Sequence, residues 1–289
     1  MKYRMIERCR EAFPIRLMCR CLKVSAGGYY DWRDRAPSAR ERANTRLLAN
    51  IRRIHADSDG VMGAPRIWEE LRYEGIPCGQ NRVARLMQAN AIQGIPQKKR
   101  WRKKGSDARP VGIQNHLACD FSADAPNTKS VTDITFIETA EGWLYLSAVL
   151  DLYSAIVVGW SMSHRQTREL VLQAVLMALW QRDDRSPVVL HSDRGCQVTS
   201  GEYQRFLRGH NLVCSMSAAG SCADNAAMEG FFGLLKRERV NRRIYQTRAE
   251  ARADVFDYIE RFHNPRRRRR LEGTKQDDLL LTQPSVETG

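Results

Sequence analysis

The sequence lacks the cysteine spacing of a zinc module and any apolar run of transmembrane length. Its eight cysteines form no CxxC pair and no cluster with histidine at metal-ligand spacing, so we expect reduced, mostly packed thiols. No stretch of about 18 apolar residues occurs, and the first residues carry scattered charges in place of a signal peptide's apolar core. These absences predict a soluble, cytoplasmic protein with no membrane partner.

Acidic residues are scarce in the first part of the chain, and all of the net charge lies there. Residues 1–110 hold 25 basic residues (Lys and Arg) and 11 acidic residues (Asp and Glu). Residues 111–289 hold 22 basic and 22 acidic residues, and the net charge of the whole chain is +14. A block of positive charge suits phosphate neutralisation, which releases counterions and favours binding to nucleic acids. The distribution therefore predicts a nucleic-acid partner held mainly by the first part of the chain.

Helical periodicity divides this basic part into two units, residues 1–37 and residues 38–96. The first reads as a helix, a turn and a second helix, and the other as an amphipathic helix followed by two shorter helices. Two short helices around a glycine-containing turn resemble a helix-turn-helix, whose second helix enters the major groove of DNA. We therefore predict that Arg82 and Arg85, on the last of these helices, contact DNA.

A strongly basic segment, residues 97–114, separates the helical units from the rest of the chain. It reads as a linker because Gly, Ser and Pro follow its charges. A charge run of this kind is often simply solvated, but with Trp101 among the charges it can also follow a phosphate backbone. The candidate DNA contacts in this segment are Lys98, Lys99, Arg100, Arg102, Lys103 and Lys104.

Strand patterns replace the helical periodicity from residue 131 onwards. Three strand-like segments precede an alternation of helices and strands, which predicts an α/β domain with a mixed sheet flanked by helices. We assign residues 115–265 to this domain. The remaining residues, 266–289, are predicted to form a tail that is first basic and then polar.

Three acidic residues stand out in the α/β domain. Asp133 lies within the first strand, where aspartate is disfavoured, and Asp193 ends a short buried strand at the edge where α/β sheets bind ligands. Glu229 lies on a helix, and the 35 residues between it and Asp193 allow that helix to return to the same edge. Each residue has an ordinary alternative as a cap, a turn residue or a surface carboxylate. Together, three converging carboxylates need divalent cations, such as the metal pair that supports phosphoryl displacement.

Helical spacing adds two polar side chains to Glu229. Asn225 is four residues before it and Lys236 is seven residues after it, so all three are expected on one face of the helix. The opposite face is apolar. A solvated face is the ordinary explanation of such a stripe, and a polar ligand is the functional one. We predict that Asn225 and Lys236 contact DNA.

The segments VTDITFIET, LHSDRGCQ and ADNAAMEGFFGLLKRE, in this order, resemble the second-frame transposases of the insertion sequence 3 family. The resemblance covers nearly the whole chain, including the helix-turn-helix-like unit. It implies a ribonuclease-H-like catalytic domain of the retroviral-integrase superfamily. In that domain Asp133, Asp193 and Glu229 would bind two Mg²⁺ or Mn²⁺ ions and catalyse DNA cleavage and strand transfer. Lys236 matches the family's basic residue, which implies a DNA contact near the active site.

The resemblance also implies partners. These are double-stranded DNA at the element ends and at the target, further copies of the chain in a synaptic complex, and an upstream-frame helix-turn-helix protein, separate or fused. Three features depart from the family pattern: Ser130 stands where Trp is common, Met62 stands where Tyr is common before glycine, and the C-terminal tail is atypical. The tail's role is therefore left open.

Two other functions are compatible with parts of the sequence. One is a transposase-derived DNA-binding protein or repressor without catalytic activity, for which the basic helical units alone would be sufficient. The other is a ribonuclease-H-like nuclease that acts on RNA–DNA hybrids or junctions. The complete acidic triad argues against the first, and the helix-turn-helix-like units together with Lys236 argue against the second.

Overall fold

The structure is a computed structural model that describes most of the chain. The described residues are 2–96, 115–117, 120–182, 186–193, 201–216 and 225–282, with side chains up to residue 273. The chain divides into two units, Met1–Asp59 with Ala64–Gln93 and Gly60–Gly63 with Gly94–Gly289. Within the described ranges, no helix is long and apolar enough to cross a membrane.

The first unit is helical. Its helices are α1 (Lys2–Cys9), α2 (Ile15–Cys21), α3 (Ala26–Asp34), α4 (Ala39–Asp57), α5 (Ala64–Tyr73) and α6 (Gln80–Ala89). Leu47, Ile51 and Ile54 recur at helical spacing along α4 and are buried. A capping box between Ser38 and Glu41 satisfies backbone donors at the start of the same helix. The helical prediction for this region is confirmed. The proposed division into residues 1–37 and 38–96 stays a prediction.

The second unit contains a five-stranded mixed sheet. Its strands are β1 (Lys129–Ile137), β2 (Leu144–Asp151), β3 (Val157–Ser163), β4 (Val188–Ser192) and β5 (Leu212–Met216). The order is β3-β2-β1-β4-β5, with antiparallel pairing among β1, β2 and β3 and parallel pairing of β4 with β1 and β5. The predicted α/β fold, a mixed sheet flanked by helices, is confirmed, and β1 lies at the centre of the sheet.

Two helices between the strands build one core against the sheet. They are α7 (Arg168–Trp180) and α8 (Gly201–Gly209). Val171 and Ala174 of α7 and Tyr203 of α8 pack with Val149 and Leu190 of the sheet in a single buried cluster. Burial of such side chains contributes roughly 1.5–3 kcal/mol each, so this core fixes the strands that carry the acidic residues.

The C-terminal helices follow the sheet, and the last of them begins just before the predicted tail and continues into it. They are α9 (Ala226–Glu238), α10 (Arg248–Phe256) and α11 (Asn264–Thr282), with a π-helical segment at Asp257–His263. The amide of Asn264 accepts a 3.0 Å hydrogen bond from the Val157 backbone N–H and donates one of 3.0 Å to the Val157 carbonyl. The arginine run 266–270 therefore begins on a helix anchored to β3, which the sequence pattern did not indicate.

The close packing of β3 on α7 leads to the first prediction. A Cβ added at Gly159 would lie 2.7 Å from the Ala178 backbone nitrogen and closer still to the Ala174 carbonyl oxygen. Since these are backbone atoms that cannot rotate away, Gly159→Ala should destabilise the protein by on the order of 3 kcal/mol in chemical denaturation. Gly209→Ala is the matched control, because a Cβ there meets nothing within 4 Å. Equal stability of the two variants would contradict this packing.

Candidate active site

The pairing of two strands brings the two aspartates to neighbouring positions. Strand β4 runs parallel to β1, and the register pairs Thr132 with Ser192. Asp133 is the next residue of β1 and Asp193 directly follows the end of β4, so this register brings the two aspartates to neighbouring positions. Neighbouring strands are about 4.8 Å apart, which sets the spacing between the two backbones. Asp133 is half-buried and Asp193 is exposed.

The start of α9 brings Glu229 to the same edge of the sheet. Glu229 lies in the first turn of α9. At the N-cap position of this helix, the Asn225 side chain donates a 3.3 Å hydrogen bond to the carbonyl of Thr132, the residue before Asp133. One contact therefore joins the helix that carries the glutamate to the strand that carries the first aspartate.

The electrostatics of Asp133 show that the three acidic side chains interact. The pKa of its carboxyl is raised to about 7, first by burial and then by the negative charges of Asp193 and Glu229. A hydrogen bond from the Ile134 backbone N–H and the charge of Lys236 lower this pKa in part. The ionisation of Asp133 is thus influenced by three other predicted site residues, which are Asp193, Glu229 and Lys236.

The carboxylates are not assembled into a metal-binding group. Within the described ranges, no three or more His, Cys, Asp and Glu side chains are arranged to hold a metal ion. The donor set nevertheless fits a hard divalent cation, because Mg²⁺ binds carboxylate oxygens and its charge would offset the repulsion that raises the Asp133 pKa.

Asn225 does not occupy the exposed position that the helical stripe predicted. Its side chain is only 4% exposed and bonds to the Thr132 carbonyl. Its Oδ1 atom has no hydrogen-bond partner within the part of the chain that the structure describes. The expected exposed position is therefore wrong: Asn225 stands at the N-cap position of α9 against β1, without a side-chain cap hydrogen bond. Its predicted DNA contact is not tested and stays a prediction.

Lys236 lies two helical turns beyond Glu229, near the far end of β1. Its Nζ is 4.5 Å from the centre of the Phe136 ring, in a cation–π contact. Its positive charge still lowers the pKa of Asp133. The predicted DNA contact of Lys236 is not tested by this geometry, and it stays a prediction.

The other predicted DNA contacts belong to different parts of the chain. Arg82 donates a 2.8 Å hydrogen bond from Nε to Asn44 of α4, so part of its guanidinium is occupied within the first unit. Arg85 is exposed and bonds to the Asn81 carbonyl at 3.2 Å. The six basic residues of the segment 98–104 lie outside the described residues. The DNA-binding roles of all these residues stay predictions.

Sequence reasoning missed a buried histidine beside the site. His191 in β4 is fully buried, and its Nδ1 lies 2.8 Å from the Ser215 Oγ of β5. The Ser215 hydroxyl also accepts a 2.9 Å hydrogen bond from the His116 backbone N–H. A polar residue within the apolar run PVVLHS was the available signal. The contact joins β4 to β5 just before Asp193.

Known proteins match nearly the whole chain. Integrase core domain families match residues 123–222 and 229–276, and an HTH-like domain family matches residues 41–100. The chain is 40% identical to the transposase InsF for insertion sequence IS3A of Escherichia coli strain K12, over 93% of this chain and 94% of that protein. It is 36% identical to the uncharacterized 31 kDa protein of insertion element IS600 from Shigella sonnei, over 87% and 92% of the two chains.

Solved structures are more distant. The catalytic core domain of HTLV-2 integrase in complex with magnesium is 21% identical with a TM-score of 0.34, over 40% of this chain and 71% of that chain. The catalytic domain of Mos1 mariner transposase is 10% identical with a TM-score of 0.39, over 46% and 70%. Likeness at this level carries no conclusion about this chain, so its affiliation depends on the sequence relatives.

Because the pKa of Asp133 is raised, replacing this residue by asparagine is predicted to stabilise the folded protein at neutral pH but not at acidic pH. An acid whose pKa rises from 3.8 to about 7 on folding holds its proton more tightly in the folded state. Stability is therefore lost as the pH rises through this interval. Without metal, Asp133→Asn should be more stable than wild type by on the order of 2 kcal/mol above pH ~7, with little difference below pH ~4.

Thermal unfolding in EDTA across this pH range measures the difference. Adding Mg²⁺ at pH ~7.5 should then stabilise the wild type and leave the Asp133→Asn variant unchanged, because the cation offsets a charge that only the wild type has. Equal stabilities of the two proteins at neutral pH would contradict the crowding of charge at this position.

Proposed function

Because the chain belongs to the transposases of the insertion sequence 3 family, we propose that it cuts and joins DNA at the ends of its element in a metal-dependent reaction. The observation that carries this proposal is the alignment of Asp133 with Asp193 by the β1–β4 register, with Glu229 fastened beside them through Asn225. Three carboxylates at one sheet edge are suited to metal-dependent polynucleotidyl transfer.

The acidic triad supplies the ligands of this site. Asp133 and Asp193 would hold two Mg²⁺ or Mn²⁺ ions, and Glu229 would complete the set. When bound, such a pair activates an attacking oxygen and stabilises the leaving oxygen of an in-line displacement. Water first attacks the phosphodiester at the element end and leaves a free 3′-hydroxyl. That hydroxyl then attacks a target phosphodiester, so one bond forms as another breaks.

Other parts of the chain would bind and orient the DNA. Lys236 would contact a phosphate close to the triad, and the helix-turn-helix-like region with Arg82 and Arg85 would hold the duplex at the element end. The basic segment 97–114 would follow its backbone. A synaptic complex would contain further copies of the chain, together with an upstream-frame helix-turn-helix protein or fusion.

Charge-neutral substitutions in the triad test the catalytic proposal. Asp133→Asn, Asp193→Asn and Glu229→Gln should each reduce strand transfer by at least about a thousandfold, while DNA-end binding stays close to that of wild type. The measurement is Mg²⁺-dependent nicking and joining on a duplex that carries the element's own end. Glu138→Gln is the matched control, since Glu138 is an exposed carboxylate just after β1.

Three results would contradict the proposal. Wild-type strand transfer by any triad variant would remove that residue from the active site. Binding of the end duplex by the wild type without any Mg²⁺-dependent nicking would instead indicate a DNA-binding protein that no longer catalyses. Faster cleavage of RNA–DNA hybrids or junctions than of the end duplex would indicate a different nuclease.

The role of Lys236 can be tested separately from metal binding. Lys236→Ala should weaken DNA binding several-fold. It should also reduce the slope of log affinity against log salt concentration by the amount expected for about one phosphate contact. Lys236→Arg is the control, because it keeps the charge. Affinity is measured over a salt series without Mg²⁺, and Mn²⁺ affinity is measured in parallel. A loss of Mn²⁺ affinity with unchanged DNA binding would show that Lys236 acts on the triad instead.

A further inference from the structure

An exposed aromatic pair lies on the strand that carries Asp133. Phe136 in β1 is 53% exposed, and Trp143, just before β2, is 45% exposed. Their ring centres are 5.0 Å apart, and the ring planes meet at 82°. Rings that keep this much apolar surface in water are typical of binding sites for other molecules. We name this pair the aromatic platform.

The aromatic platform is linked to both elements that carry acidic residues, because Phe136 lies on β1 with Asp133 and contacts Lys236 of α9. Phe136 follows Asp133 by three residues of strand, which is about 10 Å. Lys236 follows Glu229 by seven residues of helix, again about 10 Å. The two meet, since the Lys236 ammonium lies 4.5 Å from the Phe136 ring centre. A cation on the helix of Glu229 and an exposed aromatic ring on the strand of Asp133 therefore lie together.

We propose that the aromatic platform stacks an unpaired base at the end of the DNA substrate, while Lys236 contacts a neighbouring phosphate. This combination of aromatic faces and a cation is the one that binds single strands without regard to sequence, because every base has a π-face. Paired bases inside a duplex are covered by their neighbours, so only an unpaired end offers a free face. The inference rests on the proposed function, since it places the DNA end next to the triad.

Simple packing between neighbouring elements is the competing explanation of the aromatic platform, and the molecule contains a control for it. Trp160 of β3 and Phe256 of α10 form a second edge-to-face pair, with ring centres 5.9 Å apart and planes at 71°. Phe256 is 44% exposed, similar to Trp143. This second pair belongs to β3, the edge strand farthest from β4, and so it is not expected to contact the DNA end.

The test compares DNA with and without an unpaired end. The purified full chain, in EDTA, is titrated with a short blunt duplex and with the same duplex extended by an unpaired 3′ end that contains 2-aminopurine. We expect Phe136→Ala and Trp143→Ala to weaken binding of the extended duplex by about tenfold and to remove the stacking-dependent quenching of 2-aminopurine. Binding of the blunt duplex should be unchanged, and Phe256→Ala should behave as wild type with both.

Two further variants separate stacking from folding. Phe136→Tyr keeps the ring and should bind like wild type, whereas Phe136→Leu keeps apolar bulk without a π-face and should bind like Phe136→Ala. The inference is overturned if Phe136→Leu, with a wild-type melting temperature, binds the extended duplex as wild type does. It is also overturned if Phe256→Ala causes the same loss as Phe136→Ala.

The experiment also separates this inference from the proposed function. Binding in EDTA involves no catalysis. If the platform variants bind the extended duplex like wild type, the triad variants are still expected to lose strand transfer. Conversely, normal strand transfer by the triad variants would contradict the proposed function even if the platform variants lose the extended duplex.

Discussion

The parallel pairing of β1 with β4 is the constraint on which the rest of the site depends. It joins a strand of the antiparallel meander to a strand of the α/β half, and its register aligns Asp133 with Asp193. A shift of one residue would turn every side chain of one strand to the other face of the sheet. The buried cluster packed against the sheet contains Val149 of β2 and Leu190 of β4, the strands on either side of β1, and the His191–Ser215 contact joins β4 to β5. The packing of the core therefore supports the strands that position the charges.

Without a bound cation, the pairing of β1 with β4 is electrostatically unfavourable. Two aspartates on neighbouring strands and a glutamate on the adjacent helix repel one another, and Asp133 is in addition half-buried. An arrangement that reduces the stability of the isolated protein is typical of a functional site, because stability is sacrificed there for a group that binds later. Asn225 adds to this arrangement by holding α9 against β1 with a buried amide.

Much of the fold followed from the sequence because it depends on local patterns. The alternation of β1, the apolar run before Asp193 and the periodicity of α9 are each visible within a few residues. Long-range contacts carry no such signal. Helical phase alone put Asn225 on an exposed face, whereas its capping position beside Thr132 buries it. Likewise, the arginine run after residue 265 reads as a tail until Asn264 is seen to bond to Val157. The contact of Lys236 with Phe136 depends on how α9 lies along β1.

The three carboxylates are proposed to form one metal site, although the structure shows no assembled metal-binding group among its described residues. A crystal structure with Mn²⁺, whose anomalous scattering identifies the ion, is the decisive measurement. We expect an anomalous peak bound by oxygens of Asp133 and Asp193, with Glu229 completing the site. A peak elsewhere on the chain, or none at saturating Mn²⁺, would contradict it.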